Sequence, residues 1–195
     1  MLPDSIESEI AALAERYGPP RRVRAPLAGS LFDPLAMTDR YGEVCMVVRR
    51  PGGALITAIK TFYPPGAFRL LTGGIHHGEP IADALVRELA EETGLDVAVR
   101  RFLAVIEYEQ PGLLAPAFTT FAFLVDELGG TLAAQDEAER IGAFRDLPVA
   151  ELPALADTLA AAPDEYSDEI GGSWRDWGQF RAIVHRVVYE LLAAS

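Results

Sequence analysis

The stretch from Gly73 to Leu95 constrains this chain more than any other, because it marks both ends of a helix and loads one face of that helix with acid. Pro80 suits a first helical position and Gly94 suits a left-handed cap, so the spacing predicts a helix between them. At about 100° per residue, Glu88 and Glu92 fall on the arc that Ile81, Ala84 and Leu85 occupy one or two turns earlier, and Glu91 sits at its edge. Asp83, Arg87 and Ala90 take the outer side. An arc shared with aliphatic residues faces a core, so these acids are not a solvated stripe. Like charges four apart weaken a helix by roughly a few tenths of a kcal/mol, and poorly solvated carboxylates repel more strongly or take up protons. A hard divalent cation with oxygen ligands removes the conflict, and Mg²⁺ in particular keeps positions for water and phosphate.

The flanking sequence is rich in strand signals. Val44 to Arg49 and Leu55 to Phe62 surround Pro51-Gly52-Gly53 and read as a hairpin, and a turn at Pro64-Pro65-Gly66 leads into Phe68 to Leu71. A glycine-containing loop over residues 72–78 is then expected to enter the acidic helix. Beyond it, Val97 to Tyr108 and Phe118 to Val125 read as strands, followed by a short strand through Phe144 and a helical stretch from Pro148 to Leu159. At the ends, Ile6, Ile10, Leu13 and Tyr17 describe a short amphipathic helix closed by Gly18-Pro19-Pro20. Trp177, Phe180, Val184, Val187 and Leu191 describe a long one with a core-facing stripe. The cluster Arg21, Arg22, Arg24 reads as a solvated edge strand.

The chain has 195 residues, enough for one well-cored domain, and a formal net charge of −12. That charge argues against a long nucleic-acid partner, which is held by Lys and Arg neutralising its phosphates. It also repels a small phosphorylated ligand unless divalent cations stand between carboxylate and phosphate. The single cysteine, Cys45, lies in an apolar run and forms no intrachain disulfide. No apolar stretch approaches membrane-spanning length and the first residues are acidic, so a cytoplasmic protein with no membrane partner is expected.

Residue by residue, the central segment reads Gly73, five residues, Glu79, seven residues, Arg87-Glu88-Leu89, one residue, Glu91-Glu92, one residue, Gly94-Leu95. It resembles the Nudix box at every fixed position, a match that arises by chance on the order of a few times per billion windows. The resemblance implies an α/β/α sandwich around a mixed β-sheet. It further implies hydrolysis of a phosphate anhydride in a nucleoside diphosphate linked to another group, with Mg²⁺ as cofactor and Mn²⁺ as its substitute. Carried to this chain, it makes Glu88, Glu91 and Glu92 the candidate metal ligands, brings the backbone at Gly73 to the metal, and gives Glu79 and Arg87 an orienting role.

Water is then the nucleophile, and its proton acceptor is either Glu88 or a member of the acidic loop Asp136, Glu137, Glu139. Arg69 and Pro111 are the substrate-side candidates. Pro111 stands sixteen residues after Leu95, a spacing that marks members acting on ADP-ribose, and so favours ADP-ribose or a nucleotide sugar over an oxidised nucleoside triphosphate. The rival reading is a Nudix-like sensor that binds a nucleotide without cleaving it; an intact acidic set favours the enzyme. Strict motif identity ends at residues 73 and 95, with looser agreement from 43 to 147. Residues 1–40 form an extension before the domain at 41–195, with a homodimerisation element or a cap over the pocket as its two expected roles.

Overall fold

The computed structural model describes residues 2–27, 32–110, 112–113 and 115–194. The elements run α1 (Asp4–Tyr17), β1 (Arg21–Pro26), β2 (Arg40–Arg49), β3 (Leu55–Lys60), β4 (Arg69–His76), α2 (Ile81–Thr93), β5 (Leu95–Glu109) and β6 (Phe118–Gly130). A 3₁₀ turn at Glu137–Glu139 precedes β7 (Ile141–Leu147), and a second at Val149–Glu151 precedes α3 (Leu152–Ala160). The strand pair β8 (Tyr166–Ser167) and β9 (Gly172–Ser173) leads into α4 (Trp174–Ala193).

Seven strands form one sheet in the order β1-β5-β6-β2-β4-β3-β7. The pairs β1–β5 and β2–β6 are parallel and the rest antiparallel, so the sheet is mixed. Strand β2 lies at its centre and shows why its sequence reads as a continuous apolar run: both faces are covered. Cys45 and Val47 point into the core with Trp177, Phe180 and Val184 of α4, whereas Val44, Met46 and Val48 meet Leu13 of α1 and Ile81, Leu85 and Leu89 of α2. Helices α1 and α2 therefore cover one face and α3 and α4 the other, which is the expected α/β/α arrangement.

Two local readings change. The predicted loop at residues 72–78 is largely strand, since β4 continues to His76 and its glycines pair with β2, Val44 with Gly73 and Glu43 with Gly74. Glycine signalled a turn, but here it answers a need for space. Pro80 is the N-cap rather than the first helical residue. The basic cluster Arg21, Arg22, Arg24 does form the edge strand β1, and this ties the N-terminal segment into the main sheet beside β5.

The start of α2 has no cap from its own side chains. Glu9 of α1 supplies one: its Oε1 accepts hydrogen bonds from the backbone N–H of Ile81, 2.5 Å, and Ala82, 3.4 Å. A carboxylate there satisfies orphan donors and complements the helix dipole. At the other end Gly94 adopts φ 63° and its N–H returns to Ala90 O. The chain leaves this left-handed cap directly into β5.

Candidate active site

The acidic face of α2 lies against β4, and the fit depends on Gly73. A Cβ at that position would stand 1.9 Å from the carboxyl carbon of Glu88. Any side chain there would displace the carboxylate, so the missing atom is what lets helix and strand close around it. In the cleft so formed, oxygens of Glu88, Glu92 and Glu139 all lie within 4.8 Å of one another. The adjoining cavity measures about 640 Å³ and is lined by Glu88 and Glu139 together with Arg40, Lys60, Glu79 and Arg87.

Arg87 organises the approach. Its Nε and Nη2 donate to the two oxygens of Glu79 at 2.8 and 2.9 Å, Nη2 also reaches Gly74 O at 2.9 Å, and Nη1 reaches Glu88 at 2.8 Å and Glu91 at 3.1 Å. Glu79 in turn accepts from His76 N at 3.0 Å. One guanidinium thus ties the end of β4, the turn into α2 and two helix acids together through charge-assisted bonds. The hydrogen bond from Arg87 holds the Glu79 carboxyl below its ordinary range. The wheel put Arg87 on the outer side; its length carries the guanidinium back across the helix edge.

The three clustered acids differ in what holds them. Glu88 is bonded to Arg87, and burial raises its pKa despite that bond. Glu139 sits on the 3₁₀ turn and accepts from Lys60 Nζ at 3.1 Å. Glu92 is 1% exposed, and neither of its oxygens has a hydrogen-bond partner. Burial pushes its pKa up to about 8 against the pull of Arg69 and Lys60. An orphaned buried carboxylate is costly unless something else satisfies it. An all-oxygen donor set, an orphaned carboxylate and a strand shaved to glycine fit a hard divalent cation.

The structure sorts the other expected residues. Glu91 lines the cleft, tied to Arg87, but stands outside the trio. Glu137 is exposed, and Asp136 caps the 3₁₀ turn by accepting from Ala138 N at 2.8 Å. Arg69 is 3% exposed, on β4, facing a small inner cavity next to the cleft. Pro111 lies outside the described residues.

Sequence reasoning missed Glu43 and Arg181. They form a buried pair in which Arg181 Nη1 donates to both Glu43 oxygens at 2.8 Å. No local pattern signals a pair separated by 138 positions. An acid inside the apolar run of β2 was the available clue. Among the described residues no helix is long and apolar enough to cross a membrane.

Comparison with known proteins gives a family match over much of the chain. The NUDIX domain family model matches residues 39–170. An ADP-ribose pyrophosphatase from Methanocaldococcus jannaschii is 38% identical over 92 residues, 47% of this chain and 52% of that protein. The NAD-capped RNA hydrolase NUDT12 of Homo sapiens is 33% identical over 82 residues, 40% of this chain and 18% of that protein. The match therefore spans about half or less of the length of these curated relatives. A crystal structure of an ADP-ribose pyrophosphatase from Streptococcus suis superposes with a TM-score of 0.48 at 16% identity, covering 79% of this chain and 92% of that one.

Proposed function

The chain belongs to the Nudix family, and on that premise we propose that it hydrolyses the pyrophosphate bond of a nucleoside diphosphate linked to another group, with Mg²⁺ as cofactor and ADP-ribose as the favoured substrate. The observation that carries the reading is the group Glu88, Glu92 and Glu139, packed within 4.8 Å with the Glu92 carboxylate unpartnered. Three converging carboxylates in a protein of net charge −12 would repel a phosphate unless a cation stood between them.

Glu88, Glu92 and Glu139 are the residues that would hold the cation, with Mn²⁺ as a substitute. The cation, when bound, withdraws charge from the bridging phosphate oxygens and acidifies attacking water. The protein's own part is orientation and proton transfer. Arg87 and Glu79 fix the turn between β4 and α2, so that the carboxylates do not need to reorganise. The water's proton acceptor is drawn from Glu88 and the loop acids Asp136, Glu137 and Glu139, of which Glu139 is held by Lys60 on a turn open to the cleft.

ADP-ribose is favoured by the archaeal pyrophosphatase relative, matched at the higher identity, and by Pro111 at its spacing from the box. The net charge of −12 weighs against a capped RNA, whose backbone calls for a basic surface. The test is incubation with Mg²⁺ and ADP-ribose, nucleotide sugars, NADH and nucleoside triphosphates. AMP and ribose 5-phosphate are the expected products from ADP-ribose. Survival of every substrate, with some of them bound, would instead indicate a sensor.

A further inference from the structure

Behind the cation cleft, between β4, β2 and α4, lies a second cavity of about 70 Å³. It shares Arg40, Lys60, Thr72, Gly73 and Gly74 with the cleft, so the two are contiguous. Its walls carry four cations, Arg40, Lys60, Arg69 and Arg181, against two carboxylates, Asp33 and Glu43. Arg40 is paired with Asp39, Lys60 with Glu139 and Arg181 with Glu43, whereas the hydrogen bonds of Arg69 go to no carboxylate.

Two of the cations are buried and incompletely answered. Arg69 is 3% exposed, and its bonds go to neutral acceptors: Nε to Tyr63 Oη at 3.1 Å, and Nη1 to Leu70 O at 2.9 Å and Thr72 Oγ1 at 3.1 Å. Glu92 and Glu43 attract this guanidinium without bonding it, which leaves its buried charge open to an anion. Arg181 is 5% exposed; Nη1 serves Glu43, but its Nε is buried with no hydrogen-bond partner. Planar guanidinium donors suit a tetrahedral or planar oxyanion.

Size narrows the ligand. The cavity measures about 70 Å³. It falls far below the roughly 300–1,000 Å³ of a pocket that encloses a nucleoside-sized ligand. One oxyanion group fits, and a base or sugar ring does not.

We propose that this cavity is a phosphate subsite in which Arg69 and Arg181 hold one phosphate of the substrate, and of the monoester product, beside the cleft where the anhydride is cut. This rests on the hydrolase reading above, and it assigns the inner cavity to phosphate rather than to base or sugar. Arg69 and Arg181 then act through ground-state and product binding, and an occupied subsite delays release of the phosphorylated product.

The experiment uses the full chain in excess chelator, where the acidic cleft has no cation to recruit an anion. Inorganic phosphate is titrated and followed by heat and by ³¹P line width. Saturable binding is expected, weakened at least about tenfold in Arg69→Met and in Arg181→Lys, and unchanged in Arg49→Met on the opposite end of β2. Arg181→Lys keeps a charge beside Glu43, which preserves a folded protein if Arg69→Met does not fold. Ribose 5-phosphate and AMP are titrated in parallel, and at least one must compete with phosphate. Absence of saturable phosphate binding, binding that persists in both variants, or competition by neither monoester would overturn the proposal. Failure of hydrolysis with Mg²⁺ would instead count against the reaction alone, because this titration needs neither cation nor turnover.

Discussion

Glu43 and Glu92 are both buried glutamates near the same cleft, 2% and 1% exposed, yet they live in opposite conditions. Glu43 accepts two bonds from Arg181 and one from Thr120, so its charge is met inside the protein. Glu92 has no partner on either oxygen. A satisfied buried charge serves the fold, whereas an unpartnered buried carboxyl is open to something that arrives. The difference separates the wall of this site from its working face, although the residue type is the same.

The comparison breaks most severely at the satisfied pair. Glu43→Ala leaves Arg181 buried without its carboxylate and should cost about 3–5 kcal/mol in urea unfolding, whereas Glu43→Gln combined with Arg181→Met should cost less than Glu43→Ala alone. On the unsatisfied side the loss should appear in turnover. Glu92→Gln is expected to lower Mg²⁺-dependent hydrolysis by about a hundredfold or more while the far-ultraviolet circular dichroism stays unchanged. Equal damage to stability from both substitutions would erase the distinction.

The pH dependence sharpens it further. In chelated protein the Glu92 carboxyl is pushed up to about 8 by burial, from 4.5 when free. A raised folded pKa means no penalty below the unfolded value; as pH rises from there toward 8 the unfolded chain ionises and the folded one does not, so stability falls. The slope is at most about 1.4 kcal/mol per pH unit, and it levels off above the folded pKa. Unfolding of chelated wild-type protein and Glu92→Gln, measured from pH 5 to 8, should therefore diverge in favour of the variant. His185 opposes this trend at lower pH: burial holds its imidazole down at about 4, with Nε2 accepting from Leu70 N. Its share of stability is complete above the unfolded value near 6.5 and is lost as pH falls toward 4.

The smallest effect belongs to the long-range cap. Glu9→Ala should cost about 1 kcal/mol and loosen the first turn of α2, read as faster amide exchange at Ile81 and Ala82. Because Glu9 sits on α1, deletion of that helix should loosen the same turn, at a greater cost in stability since Ile10 and Leu13 leave the core with it. The N-terminal segment then contributes to the site by holding α2 as well as by extending the sheet through β1.

Sequence periodicity placed α2 and its acids because helix spacing, a proline and a glycine all act locally. The central strands were equally legible, since β2 is apolar on both faces. Strand β4 was read short because Gly73 and Gly74 look like a loop until Glu88 is seen filling the space a side chain would need. Other features depend on tertiary distance. Glu139 joins Glu88 and Glu92 only because β7 pairs with β3 and brings the preceding turn to Lys60. Neither the choice of Glu139 over Asp136 and Glu137 nor the Glu43–Arg181 pair has a local signature.

If the unpartnered Glu92 carboxyl receives a divalent cation, removing it must weaken that cation's binding. Calorimetric titration of Mg²⁺ into wild-type protein and Glu92→Gln near pH 7.5 tests it most directly. The account predicts saturable binding to the wild type that weakens at least about tenfold in the variant. Mg²⁺ binding of equal strength in both proteins would contradict it.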